Sequence, residues 1–296
     1  MTIGTRITNQ MTATHTLAGI QMNQTKLSRL QAQLSSGKVM TKPSDDPAAA
    51  QSALALRSEL ARMTQYTRNA DDGKAWLGTI DQSLANAVED IHRVRDLAVQ
   101  GMSTGQADDG ARSAIAAEVD TLRSALISVA NTTYLNRPVF GGTTSGKTAF
   151  DGSGSYVGDS GTVNRTVADG IEVRVDGDAT ATFGSGSTQL FTVLAQLSTD
   201  LRSNTDGIGA DLDNLDTAAN AMGSAQADIG ARYNRVDRAG QTADTHLDEL
   251  KSQLSGVEDI DLPQTIVNLQ LQQVAYQAAL SATAKLQQMS LVDFLH

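Results

Sequence analysis

The chain has no cysteine among its 296 residues, which excludes disulfides and thiolate metal sites and leaves the redox compartment unmarked. Aromatic residues make up only 4% and Trp occurs once, although hydrophobic residues reach 40%. Apolar material is sufficient for a core, but with so few large rings it favours thin helical packing over a thick globular centre. Proline, at four residues, is also scarce, so long stretches carry no helix breaker. No run of about 18 apolar residues is present to span a membrane. Met1 to Thr16 are polar and lack the basic segment and apolar run of a cleavable signal peptide, so any export is expected to read a different signal.

What is present is acidic and helical. The net charge of −10 is unevenly spread: residues 1–62 carry 7 basic and 3 acidic groups, residues 140–261 carry 8 and 19, and residues 262–296 carry one of each, Lys285 and Asp293. An acidic, aromatic-poor middle argues against nucleic acid and for a solvated exterior. The length allows two ordinary domains or one elongated one.

The stretch from Leu262 to Leu295 reads as one helix. Steps of 3 and 4 collect Ile266, Leu269, Gln273, Tyr276, Leu280 and Thr283 on one stripe, and Val267, Leu271, Val274 and Ala278 on another. The stripes point about 160° apart. A helix apolar on nearly opposite sides needs neighbours on both. One is available near the N-terminus, where Leu17, Ile20, Gln24, Leu27, Gln31 and Leu34 repeat the spacing, predicting a coiled coil between the termini with Gln in the seam of each helix. The first stripe of the C-terminal helix is expected to face the N-terminal helix and the second to face another molecule.

Between these ends, Ser35-Ser36-Gly37 stops the first helix, and Asp46 with Pro47 caps and opens the next. That helix carries Leu56, Leu60, Met63, Ala70 and Leu77, then Ile80, Leu84, Ile91 and Val94, with Gly73 and Gly78 admitting a bend near Trp76. A further helix follows at Ile115, Val119, Leu122 and Leu126. From Phe140 to Gly186 Gly, Ser, Thr and Asp dominate. Short alternating runs at Thr162 to Ala168, Ile171 to Asp176 and Ala179 to Phe183 predict a small β insertion with hairpin turns, projecting from the helices. After a helix at Leu190 to Leu201, fourteen positions in strict 4,3 steps run from Ile208 to Leu254, twelve of them hydrophobic. They predict a helical rod about 69 Å long.

The expected architecture is thus mainly α with a small β insertion and elongated. Residues 1–40 and 262–296 form paired terminal helices, 41–139 and 190–261 a helical rod domain, and 140–189 an outer β-rich domain.

Motifs that could carry chemistry fall short. Gly141-Gly142-Thr143-Thr144-Ser145-Gly146-Lys147-Thr148 satisfies the P-loop pattern, but that pattern cradles phosphate only between a strand and a helix. Residues 149–161 have no helical period, so a P-loop NTPase using Lys147 is a remote alternative. Gly158-Asp159-Ser160-Gly161 resembles the nucleophile loop of trypsin-type proteases, an all-β fold. His15, His92, His246 and His296 form no ligand pair. Asp45-Asp46 read as a helix cap and Asp71-Asp72 as a solvated helix face. No catalytic residue, cofactor site or metal site is expected.

At Leu34-Ser35-Ser36-Gly37-Lys38, followed by Lys42-Pro43-Ser44-Asp45-Asp46-Pro47, the chain resembles the flagellin family. Gln65-Tyr66 with Asn69, Trp76-Leu77, Arg95-Asp96-Leu97-Ala98, Ala130-Asn131-Thr132, Phe140-Gly141-Gly142, Glu258-Asp259-Ile260-Asp261 and Ser290-Leu291-Val292-Asp293-Phe294-Leu295 extend the match. It covers roughly residues 5–142 and 205–295. The chain departs at Leu135-Asn136-Arg137-Pro138, where the family has Gly-Arg before an aromatic residue.

The resemblance implies a non-catalytic structural subunit of the bacterial flagellum, exported through the flagellar type III channel. It joins hook to filament or, alternatively, forms the filament itself. It further implies self-association in a ring or short tube, contacts with another hook-associated protein and with flagellin, an export chaperone, and terminal helices that order on assembly. Neither nucleic acid nor membrane is an implied partner. Assembly is assigned to Leu17, Ile20, Leu27, Leu34, Ile266, Val267, Leu269, Leu271, Val274, Tyr276, Leu280, Leu291 and Phe294.

Overall fold

The computed structural model describes residues 9–103 and 109–294, with the side chains of 9, 10, 12, 13 and 285–294 left aside. Long helices dominate and the strands are few and short, so the fold is mainly α as expected. The chain forms two compact units, one of residues 1–61 and 248–296 and one of residues 62–247. These limits differ from the compositional ones at 40/41 and 261/262.

The first unit contains helix α1 (Asn9–Ser36), helix α7 (Leu262–Phe294), the start of α2 (Pro47–Ser103) and the end of α6 (Ile208–Glu258). Gly37, at φ +69°, ends α1 in the left-handed conformation that costs other residues more. The following corner is held by Asp45, whose Oδ2 accepts from the Thr41 and Lys42 amides at 3.1 and 3.0 Å. Asp46 Oδ1 then caps α2 by accepting from the amides of Ala48 and Ala49 at 3.1 and 3.0 Å, with Pro47 as the first helical residue.

The second unit joins the rest of α2 and α6 to α3 (Asp109–Ala130), α4 (Ala179–Phe183), α5 (Leu190–Ser203) and two hairpins. The hairpins are β1 (Thr133–Tyr134) with β2 (Arg137–Pro138) and β3 (Asn164–Ala168) with β4 (Ile171–Arg174), both antiparallel. α3 packs against α5. The core takes Trp76, Leu77, Ile80, Leu84 and Ile91 from α2 and Leu215, Met222, Ile229 and Val236 from α6. At Gly73, α2 stays an unbroken helix; a side chain there would sit 3.3 Å from Val175 Cγ1 and 3.4 Å from Val236 Cγ1, so the glycine permits close approach.

Residues 140–189 share this core. Phe150 lies 5.3 Å from Phe183 and 5.1 Å from Phe191, and Phe140 lies 5.0 Å from Phe183, ring centre to ring centre. The third expected strand, Ala179 to Phe183, is instead α4, because Asp178 Oδ1 accepts from the Ala181 amide at 3.0 Å and starts a helical turn.

Several residues of the family motifs act as clamps. Asn131 Oδ1 accepts from the amides of Ala149 and Phe150, both at 2.8 Å, and its Nδ2 donates to Phe150 O at 2.9 Å, standing in for a strand partner. Asn69 Nδ2 donates to Thr166 O at 2.7 Å, where the β3–β4 register breaks. Asp72 lies on no solvated face: its Oδ2 accepts from Arg165 Nε at 2.6 Å and its Oδ1 from the Tyr134 hydroxyl at 3.2 Å, because α2 is overlain there by both hairpins.

Candidate assembly surface

α1 and α7 run antiparallel and pack on each other. The half-buried positions of α1 are Thr16, Gly19, Ile20, Asn23, Leu27, Leu30, Gln33 and Leu34, and those of α7 are Leu269, Gln272, Tyr276, Ala279 and Thr283, with Thr265 buried. The register is marked by Gln272 Nε2, which donates to Asn23 Oδ1 at 3.0 Å and to Asn23 O at 3.3 Å.

This seam is turned relative to the one read from spacing. On α1 the expected positions 17, 24 and 31 become 16, 23 and 30; on α7 the expected 266, 273 and 280 become 265, 272 and 279. Ile20, Leu27, Leu34, Leu269 and Tyr276 stay in it. Alternate positions slip back by one residue, so each helix turns about its axis by roughly half the 100° between neighbours. The polar pair in the seam is therefore Asn23–Gln272, not Gln24–Gln273. Small residues take places assigned to larger ones, Thr16 for Leu17, Thr265 for Ile266 and Ala279 for Leu280, which lets the backbones approach closely.

The turn leaves more apolar surface uncovered than spacing predicts. Leu17 is 58% exposed and Ile266 and Leu280 are each 43% exposed, although all three were assigned to the seam. Val267 is exposed beside them, and Leu271 and Val274 are each 64% exposed. Residues 262–284 contain no charged group. Leu291 and Phe294 lie outside the residues whose side chains are described.

The base of the pair is fixed by residues from two of the sequence motifs. Val39 N donates to Glu258 O at 2.7 Å and Ile260 N to Gly37 O at 3.1 Å, forming a short antiparallel bridge between Lys38 and Asp259. Lys38 Nζ donates to Asp259 Oδ1 at 2.7 Å and lies 3.2 Å from Glu258 Oε2. Arg57 Nη2 is 2.8 Å from Glu258 Oε1, an ion pair without hydrogen-bond geometry. Hydrogen bonds to Asp259 and Glu258 push the Lys38 ammonium up, and that to Lys38 pulls the Asp259 carboxyl down. Asp261 Oδ1 accepts from the Gln264 amide at 3.0 Å and starts α7.

Next to this base, Met40, Pro43, Ala50, Leu54 and Arg57 line an open groove of about 510 Å³. Leu54, 69% exposed there, escaped the sequence reading. Its signal was an apolar residue on α2 out of step with Leu56 and Leu60.

The other marked residues form no site. The P-loop-like segment follows a strand of only two residues and no helix comes before Ala179, so the nucleotide cradle is not built. Gly141 and Thr143 are instead tied to the Gly158–Gly161 loop, the Asp159 amide donating to Gly141 O at 3.2 Å and Asp159 Oδ1 accepting from the Thr143 and Gly161 amides at 2.7 and 2.9 Å. Lys147, His15, His92 and His246 are exposed, and His296 lies outside the described residues. Among the described residues no group of three His, Asp or Glu is placed to hold a metal, and no helix is long and apolar enough to cross a membrane.

Comparison with known proteins agrees with this geometry. Residues 7–143 match the bacterial flagellin N-terminal helical region and residues 212–295 its C-terminal helical region. Flagellar hook-associated protein 3 of Escherichia coli is 28% identical over 97% of this chain and 98% of its own length. Flagellin of Bacillus subtilis is 23% identical over 96% of each. A solved structure described as a flagellar hook-associated protein from Vibrio parahaemolyticus shares the fold with a TM-score of 0.66 at 23% identity, over 73% of this chain and all of that one. These relatives are structural flagellar proteins. With matches at both ends in order and a helical pair built from them, the chain belongs to the flagellin family.

Proposed function

We propose that the chain is a structural subunit of the bacterial flagellum that sits between hook and filament and assembles through the uncovered face of its terminal helix pair. The observation that carries this is the exposure of Leu271 and Val274 on a helix whose opposite side is already occupied by α1. Fully covering a Leu or Val gains about 1.5–3 kcal/mol, so a row formed by Val267, Leu271 and Val274, flanked by Ile266 and Leu280, suits helices of neighbouring copies in a ring or short tube. Leu17 and the groove at Leu54 extend the apolar surface of the same unit.

The chain carries out no catalysis in this reading and meets other axial proteins above and below, with 140–189 facing outward. It reaches its place by flagellar export, escorted by a chaperone.

Leu271→Asp tests the assignment. The variant is expected to be exported and to keep the monomer's thermal transition, yet to leave filaments detached from hooks. Normal motility of a Leu271→Asp strain would remove the intersubunit role of this face.

The full-length likeness to a flagellin supports a second reading, in which the chain builds the filament. Antibody labelling separates the two: a single focus at the filament base fits the junction, label along the whole filament fits flagellin.

A further inference from the structure

The corner between α5 and α6 buries two carboxyl groups against each other. Asp200, in the last turn of α5, is 5% exposed, and Asp211, in the first turn of α6, is 4% exposed. A 3-10 turn, Thr205–Gly207, joins the two helices and brings the Asp200 charge to bear on Asp211. Two ionised carboxylates buried near each other are both acceptors and of the same sign, so the site favours a protonated form of one of them. Asp200 Oδ1 accepts from Gln196 Nε2 at 3.1 Å, whereas Asp211 Oδ2 is buried with no partner. Leu201, Ile208 and Leu215 around them are fully buried.

Neutralising cations are engaged elsewhere. On α5, Arg202 donates to Asp120 of α3 at 2.7 Å; on α3, Arg112 pairs with Asp109; on α2, Arg95 pairs with Asp216 at 2.8 Å. Among the described residues, Asp206 of the connecting turn is exposed and of the same sign.

We propose that Asp211 holds a proton beside Asp200 in the folded chain and that its release loosens the α5–α6 corner, a proton-operated latch within the second unit. Burial first, and the Asp200 charge second, lift the Asp211 carboxyl to about 6 from its ordinary 3.8. Because the folded-state value is the higher one, the stabilisation is full below pH 3.8 and is lost as pH rises through about 6. The latch is therefore released at neutral pH and closed in mild acid. A divalent cation is the competing occupant, but two carboxylates and an amide supply few of the six or more oxygens that calcium takes.

The test is urea unfolding of the full chain, followed by the fluorescence of Trp76, which lies in the same unit, from pH 5 to pH 8. Asp211→Asn keeps the shape and removes the charge. Relative to wild type, its folding equilibrium constant is expected to rise by roughly tenfold or more between pH 5 and pH 8. Asp200→Asn should show the same trend. Parallel pH profiles for wild type and both variants would overturn the proposal, as would a calcium-dependent rise in wild-type stability that chelator reverses. If either variant fails to fold, infrared spectra of the wild type decide: a protonated carboxyl band at pH 5.5 that fades by pH 8 is expected, and its absence at pH 5.5 rejects the latch.

Discussion

α6 and α7 are written in nearly the same pattern and meet opposite fates. In the second unit Ile208, Leu215, Met222, Ile229 and Val236, at seven-residue steps on α6, are all buried by the chain's own helices and hairpins. On α7, the side chains of residues 262–284 include one buried position, Thr265. The difference is in the number of neighbours. α6 lies among α2 and the layer that contains the aromatic cluster, whereas α7 has α1 along one side. Two helices can cover only the strip between them, so an apolar pattern that continues around the helix has nothing else to meet among the described residues of this unit. Heptad spacing states that a helix has partners; the number of faces so marked states how many must come from elsewhere.

The sharpest way to break this comparison is to place a charge on each helix. Ile229→Asp sets an unpaired carboxylate into a filled core, at a cost of several kcal/mol, and should unfold the second unit or lower its transition sharply. Leu271→Asp should move the monomer's transition hardly at all and act on assembly alone. Scanning calorimetry of both variants checks this, and equal destabilisation would mean that the Leu271 face of α7 also has a partner within the chain.

A second change would turn the seam of the first unit into something closer to the second unit's core. Asn23 and Gln272 occupy a place where coiled coils gain register from a polar pair and lose stability by it. The double variant Asn23→Leu, Gln272→Leu is expected to stabilise the α1–α7 pair by about 1–2 kcal/mol from added apolar burial while loosening its register. Amide exchange along α1 should slow, and its failure to do so would show that the seam is too open for burial to count.

The sequence made the helices legible because 3,4 spacing records burial directly, and the caps at Asp46 and Gly37 fell where their chemistry required. The α1–α7 seam is turned by half a step because apolar residues on both sides of α7 leave the choice of face to packing, which favoured the small Thr265 and Ala279. Asp72 was misread since nothing local to α2 announces the Arg165 and Tyr134 that arrive from distant strands. Ala179 to Phe183 alternates like a strand, but Asp178 offers a cap and no neighbouring strand offers a ladder.

A smaller change probes the strained part of the second unit. Leu135 and Asn136 form the β1–β2 turn with φ of +48° and +62°, the type of two-residue turn that favours Asn-Gly. Asn tolerates this conformation, but Leu pays about 1 kcal/mol for it and is exposed, so its side chain returns little. Leu135→Gly should therefore be neutral or stabilising by up to about 1 kcal/mol. A loss of stability would show that Leu135 packs on the hairpin strongly enough to offset its strained backbone.

The smallest expected effect distinguishes the units by pH. The bridge at the base of the α1–α7 pair rests on Lys38, raised by its hydrogen bonds to Asp259 and Glu258, and on Asp259, lowered chiefly by Lys38. A lowered aspartate contributes stability that is complete above the ordinary 3.8 and lost as pH falls below it; a raised lysine contributes stability that is complete below 10.5 and lost as pH climbs past it. Between those limits the bridge is flat, and its partners are exposed enough that water screens much of what they gain. The second unit has its own titration inside that window, at Asp211. From pH 5 to pH 8, amide exchange of Val39 and Ile260, whose N–H groups cross the bridge, should change only by the intrinsic pH dependence of exchange once that is subtracted, while amides of the α5–α6 corner lose protection. A pH-dependent loss at Val39 and Ile260 matching that of the corner would mean that the two units open together, and the contrast between them would then lie in their surfaces and not in their stability.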